Sequence, residues 1–162
     1  MRRRALQPTC RTGALAAVML LASGCGAGPR IDATSVLSYD RCRGIDAGIT
    51  RVDFADVAGI RGGTLLNMTR PQPDADGAAD EPLLVAISRG RQSTPGYAMT
   101  LEDARRRGTT ALVTVTWATP GPGAVLEEKL THPCLVVALP RGELTRIEAV
   151  DQNDNPLGSL DL

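Results

Sequence analysis

Cys134-Leu135-Val136-Val137-Ala138-Leu139 is the stretch whose reading decides the fold. It is a continuous apolar run with adjacent β-branched residues, and Pro140-Arg141-Gly142 stops it as a turn. A run of this length bounded by turn residues predicts a strand. Working outward, Leu83-Leu84-Val85-Ala86-Ile87, introduced by Pro82, predicts a second buried strand. Ala111 to Trp117 alternates instead, with Val113, Val115 and Trp117 on one face and Thr114 and Thr116 on the other. Tyr97, Met99 and Leu101 alternate with Ala98 and Thr100 to give a half-buried strand, and Arg107-Gly108 marks the turn between the two alternating segments. Pro120-Gly121-Pro122-Gly123 must be a loop, because two prolines remove ladder donors and two glycines weaken any strand. Val125 to Leu130 predicts an edge strand, where Glu127-Glu128 would discourage edge-to-edge association. Leu144 to Val150 and Leu157 to Leu162 predict a terminal hairpin across Asn153-Asp154-Asn155-Pro156. Turn signals recurring roughly every 8–12 residues fit a mainly β fold, an antiparallel sandwich or partly open barrel.

The β domain is assigned to residues 35–162. Its first part reads two ways: Ile49 to Phe54 and Thr64 to Met68 as strands around Gly62-Gly63, or a short helix near Phe54 to Ile60. Residues 69–82, TRPQPDADGAADEP, hold almost nothing to bury and read as an exposed insert.

The N-terminus has three parts. Met1-Arg2-Arg3-Arg4 is basic, Ala14 to Ala22 is an unbroken apolar run, and Leu21-Ala22-Ser23-Gly24-Cys25 brings small residues up to a cysteine. The apolar run is too short to span a bilayer, which takes about 20 residues, but it suits a signal peptide. The final segment resembles the bacterial lipobox, although Ala22 stands where leucine is commonest. That resemblance implies a signal peptide over 1–24, acyl chains such as palmitate carried by Cys25, and a flexible tether over 25–34. The alternative is an ordinary secretory signal with a chance cysteine. Gly26 follows Cys25 with no aspartate to retain the protein at the inner membrane. The expected location is therefore the cell envelope, on the periplasmic face of the outer membrane in a diderm. The expected membrane partner is the lipid bilayer, held through Cys25.

Charge narrows the remaining partners. Four of the 18 basic groups and none of the 18 acidic ones precede residue 25, so the remainder carries 14 basic against 18 acidic, a net of −4. That is no footprint for nucleic acid. Arg105-Arg106-Arg107 reads as a solvated strand end, with contact to anionic lipid as its alternative.

Four cysteines are present. Cys10 leaves with the signal peptide and Cys25 takes the lipid, which leaves Cys42 and Cys134 for a disulfide in an oxidising compartment. Closing so long a loop stabilises a fold by roughly 4–5 kcal/mol on loop-closure entropy alone. Free, inert thiols are the alternative reading. Catalysis lacks a partner set: His132, the only histidine, sits between Thr131 and Pro133, and there is no Gly-x-Ser-x-Gly elbow. Asp151-Gln152-Asn153-Asp154-Asn155 has a calcium-loop beginning, but Pro156 and Leu162 stand where glycine and a bidentate glutamate belong. A hairpin turn explains it better. No metal, no cofactor and no enzymatic activity are expected.

Several features from Leu83 onward come in a telling order. An apolar strand leads to Gly90-Arg91-Gln92-Ser93-Thr94-Pro95-Gly96-Tyr97. An alternating strand, the Pro120 to Gly123 loop, Thr131-His132-Pro133 and a strand ending at Pro140 follow. In this order the segment resembles the PrcB C-terminal domain, found in a lipoprotein subunit of bacterial surface protease complexes. Pro95 departs from the usual Thr-Gly-Gly-Tyr, and His132 from the usual aromatic. The resemblance, over residues 83–140, implies an accessory protein-interaction module without catalytic activity, with an exported protease as candidate partner. A second likeness is to chagasin-type inhibitors, which present three loops of a β-sandwich to a cysteine protease. Here those loops would be Ser93-Thr94-Pro95-Gly96-Tyr97, Pro120-Gly121-Pro122-Gly123 and His132-Pro133, the candidate partner-binding residues. The alternative is that they are the turns any sandwich needs. Trp117 is read as core, and Tyr97 as either a core plug or a contact.

Overall fold

A computed structural model describes residues 28–42, 44–59 and 81–162. The proposed signal peptide, Cys25, the strand expected over 64–68 and all but the last two residues of the 69–82 insert lie outside the described residues. In chain order the elements are β1 (Thr34–Tyr39), β2 (Gly48–Val52), α1 (Phe54–Gly59), β3 (Leu83–Ser88), β4 (Ala98–Arg107), β5 (Thr110–Ala118), β6 (Cys134–Leu139), β7 (Arg146–Asp151) and β8 (Pro156–Asp161). They form two four-stranded sheets, β1-β6-β3-β2 and β4-β5-β7-β8. Among the described residues no strand ladder joins the two sheets, so the fold is a sandwich and not a closed barrel.

The two apolar runs are continuous because both of their faces are covered. Leu83, Val85 and Ile87 of β3, with Leu135, Val137 and Leu139 of β6, pack across the sandwich against Met99, Val113, Val115, Trp117 and Ile147. Their neighbours Leu84, Ala86, Cys134 and Val136 point the other way. There they meet Leu37, Cys42, Ile45 and Val57, contributed by β1, the following loop and α1. Hydrophobic burial of this kind amounts to about 1.5–3 kcal/mol for each large side chain. The second sheet is covered on one face only, and β5 and β7 alternate accordingly.

Of the two readings of the early segment, the described residues hold the first strand, as Gly48–Val52, and then the short helix, while Gly62-Gly63 and the strand over 64–68 lie outside them. β2 stops at Val52, and Asp53 then caps the helix: the Asp56 amide donates to Asp53 Oδ1 at 2.7 Å, and the Asp53 amide donates to Asp56 Oδ2 at 3.0 Å. This reciprocal pair satisfies donors that a helix start leaves open.

Three expectations change. First, the sheets are not wholly antiparallel, since β5 and β7 pair in parallel from Thr110↔Arg146 to Val115↔Asp151. Between them the chain crosses to β6 in the other sheet, so that strand plays the part a helix plays in other parallel crossovers. Second, residues 125–130 form no strand. β4 and β7 occupy both sides of β5, and β1 and β3 both sides of β6, so the segment cannot pair beside either of the strands it connects. Third, packing reaches back into the segment assigned to the tether. The Ile31 amide donates to the Ala104 carbonyl at 2.8 Å, the Arg106 amide donates to the Pro29 carbonyl at 2.8 Å, and Ile31 packs against the core.

The outer strands of the two sheets draw together at both corners. Ser38 Oγ of β1 donates to the Met99 carbonyl of β4 at 2.7 Å. On the opposite side β8 approaches β2 so closely that a Cβ at Gly158 would sit 3.0 Å from Gly48 Cα. That close approach and the Gly158 φ of 154° favour glycine there.

Candidate functional site

One end of the sandwich gathers the ends of β1, β3, β5 and β7 and the starts of β2, β4, β6 and β8. The candidate loops lie there because strand direction puts them there. The first follows β3, the second follows β5, and the third leads into β6.

Backbone pairing stitches the first loop to the third. The Gln92 amide donates to the Thr131 carbonyl at 2.9 Å, and the Thr131 amide donates back to the Gln92 carbonyl at 3.0 Å. Thr131 is buried, and its Oγ1 donates to the Thr94 carbonyl at 3.0 Å. Ser88, also buried, donates from Oγ to the Pro133 carbonyl and accepts from the Gly90 amide, both at 2.9 Å. The second loop closes on the first at Gly96. A Cβ there would lie 3.1 Å from Pro120 Cγ, and the Gly96 φ of 94° is one that side chains disfavour. Segments 93–97, 120–123 and 131–133, distant in sequence, thus form a single edge.

The third loop is also fixed from behind. The His132 amide donates to the Asp40 carbonyl at 2.7 Å, and the Cys42 amide donates to the His132 carbonyl at 2.9 Å. Cys42 and Cys134 form a disulfide with Cα atoms 5.9 Å apart, spanning 92 positions of sequence. Both cysteines are fully buried. Next to this anchorage is a hollow of about 390 Å³ lined by residues that include Ile45, Asp46, Arg89, Arg91 and His132.

An aromatic cluster supports the edge from below. Tyr97 stacks on Trp117 with ring centroids 5.3 Å apart and planes 22° apart. The Tyr97 side is half-buried and packs against the core, so it serves as a plug with one margin open. Gln152 extends the β5–β7 pairing by one step: its Oε1 accepts from the Trp117 amide at 2.8 Å, and its Nε2 donates to the Trp117 carbonyl at 3.1 Å.

Asp151 terminates β7 and holds the hairpin. Its carboxylate accepts from the amides of Asn153 and Asn155 at 2.9 and 3.0 Å and from Asn155 Nδ2. Arg89 faces the same carboxylate at 3.6 Å. Burial pushes the Asp151 carboxyl up, but the hydrogen bonds from Asn155 and Asn153 and the charge of Arg89 together hold it below its ordinary value. The aspartate read as a possible calcium-loop start is therefore committed to a turn. Among the described residues no group of three His, Cys, Asp or Glu side chains is placed to hold a metal.

Beyond the edge, residues 124–130 run without strand pairing. Val125 is fully exposed and Leu130 is 61% exposed. Leu126 turns back to contact distance of the Gly96 position. An exposed apolar stretch beside rigid Gly/Pro loops can bind another macromolecule at low entropic cost. Arg89, Gln152 and Leu126 carry no motif in the sequence, and only three-dimensional placement brings them to the edge. Lipidation at Cys25 falls outside the described residues.

Residues 83–140 match the family model described as PrcB C-terminal. The match begins with the first residue of β3 and ends one residue beyond β6, so it contains all three loops. No curated protein and no solved structure matches the chain.

Proposed function

We propose that this chain is a non-catalytic, lipid-anchored envelope protein whose three-loop edge docks on a protein partner, with an exported protease as the foremost candidate. One observation carries the reading: Thr131 bonds to Thr94 while Pro120 closes on Gly96, so three loops separated in sequence make one preformed surface. The PrcB C-terminal match over those loops supports an accessory role beside a protease. The tripartite N-terminus ending at Cys25 supports export and anchoring, on the periplasmic face of the outer membrane in a diderm. Cys134 is committed to a disulfide, so His132 has no neighbouring thiol there to activate, which supports a role without catalysis.

The test uses the full chain expressed with its own N-terminus, cross-linked in membranes and captured beside a Val125→Ser, Gly121→Asp variant. The reading expects an exported protease to be captured by the native chain and lost with the variant. Equal capture by both would remove the loops from the working surface. Metabolic labelling with an alkyne palmitate, against Cys25→Ala, tests the anchor separately.

The order and rigidity of the loops also favour a second reading, a protease inhibitor that inserts this edge into a cleft. Assay of the captured protease separates the two. Activity falls in proportion to the bound chain for an inhibitor, and it is maintained or raised for an accessory subunit.

A further inference from the structure

The direction in which the chain enters the sandwich bears on how a lipid-anchored copy would stand. Arg30 pairs antiparallel with Arg105, and the flanking bonds join Ile31 to Ala104 and Pro29 to Arg106. Followed back from Ile31 to Pro29, the backbone therefore advances along β4 from Ala104 to Arg106. This carries it towards the Gly108-Thr109 turn and away from the loop edge. The turn is bound to the β6–β7 connection: the Thr145 amide donates to the Thr109 carbonyl at 2.9 Å, the Thr145 hydroxyl donates to the Thr109 hydroxyl at 2.9 Å, and Arg106 pairs with Glu143 at 3.2 Å. Turn and connection make one end surface, with Arg107 and Arg141 exposed on it.

Two lengths decide the geometry. Cys25 precedes Gly28 by three residues, which span at most about 11 Å when fully extended. The loop edge lies at the other end of the ten-residue β4, about 30 Å away at ordinary strand rise. Resting on the lipid-anchor reading above, we infer that the sandwich stands end-on to the bilayer. The Gly108-Thr109 turn and the 140–145 connection face the lipid headgroups, and the three-loop edge is held about one strand length further out. The partner it fits is one whose contact region stands off the membrane by that distance, and not a segment lying at the lipid surface.

Trp117, the single tryptophan, lies at the loop end and reports the orientation. The full chain, recovered from the membranes of expressing cells, is reconstituted in phosphatidylcholine–phosphatidylglycerol vesicles containing dansyl-labelled phosphatidylethanolamine. Energy transfer from tryptophan to the headgroup dansyl is compared with that of Arg107→Trp, which adds a donor at the anchor end; Arg141→Trp serves if the first variant folds poorly. End-on standing gives weak transfer from the native chain and a several-fold rise in the variant. Transfer from the native chain as strong as from the variant means that the sandwich lies flat, and overturns the orientation. Mass spectrometry of the N-terminal peptide reads Cys25 independently. An acylated Cys25 with strong native transfer defeats the orientation alone, whereas an unacylated Cys25 defeats the anchor reading and the orientation with it.

Discussion

The guanidinium carbon of Arg89 lies 5.2 Å from the ring centroid of Trp117, while the same guanidinium faces Asp151 at 3.6 Å. Arg89 follows β3, Trp117 closes β5 and Asp151 ends β7, so one side chain ties the two sheets together directly under the loop edge. A cation over a tryptophan face contributes about 0.5–1 kcal/mol when exposed and up to about 2 when desolvated. Arg89→Ala should therefore lower unfolding free energy by about 1–2 kcal/mol in urea titration. Arg89→Lys should recover only part of that, because an ammonium lacks the flat guanidinium face.

The Cys42–Cys134 bond closes a long loop and sits in the outer apolar cluster. Replacing both cysteines with alanine should cost roughly 4 kcal/mol, read as a lower denaturant midpoint. Because both residues are fully buried, dithiothreitol should reduce the native protein far more slowly than the urea-unfolded one. Equal rates would mean that the bond is reached without opening the fold.

Stability should fall on acidification through Asp151. Its folded carboxyl sits below the ordinary 3.8, so the unfolded chain takes up the proton first and acid favours unfolding. The contribution is complete at neutral pH and is lost as pH drops through and below 3.8. In Asp151→Asn the denaturation midpoint should be lower at neutral pH and should depend less on pH in the acid range.

Loop geometry and loop chemistry can be separated. Gly96→Ala places a Cβ in a disfavoured backbone region and against Pro120, so it should lose about 1–2 kcal/mol. Val125→Ser changes a fully exposed side chain and should shift stability by no more than about 0.5 kcal/mol. If the edge is the docking surface, the second substitution should still weaken capture of the partner.

The strands that could be read in the sequence are those whose burial pattern is uninterrupted. Cys134–Leu139 and Leu83–Ser88 announce themselves because both faces are covered, and Thr110–Ala118 because one face is. β1 escaped because its register shifts between Ser35 and Leu37, so Val36 and Leu37 are both buried and the alternation breaks. β4 was legible only as far as Leu101 for the same reason. A shift between Leu101 and Asp103 moves the inward position to Ala104, which hides the rest of the strand among charged residues. Residues 125–130 misled in the opposite sense, since their composition suits a strand but both sides of the strands they connect are already taken. In the candidate site the Gly/Pro loops were legible as turns. Their convergence was suggested only by the likeness to chagasin-type inhibitors, because it depends on which strand ends share one end of the sandwich.

The order of pairing has a consequence for the timing of folding. Among the described strands of the first 97 residues, only β2 and β3 pair with each other, while β1 must wait for β6. The second sheet cannot be completed until β8 is available near the end of the chain. Contacts so distant in sequence are slow to form. A chain that has emerged only as far as residue 97 therefore holds one pair of described strands, and its two sheets come together only after β6 and β7 have appeared. Such late pairing suits the export proposed above, in which a polypeptide is threaded through a narrow channel before it folds on the far side.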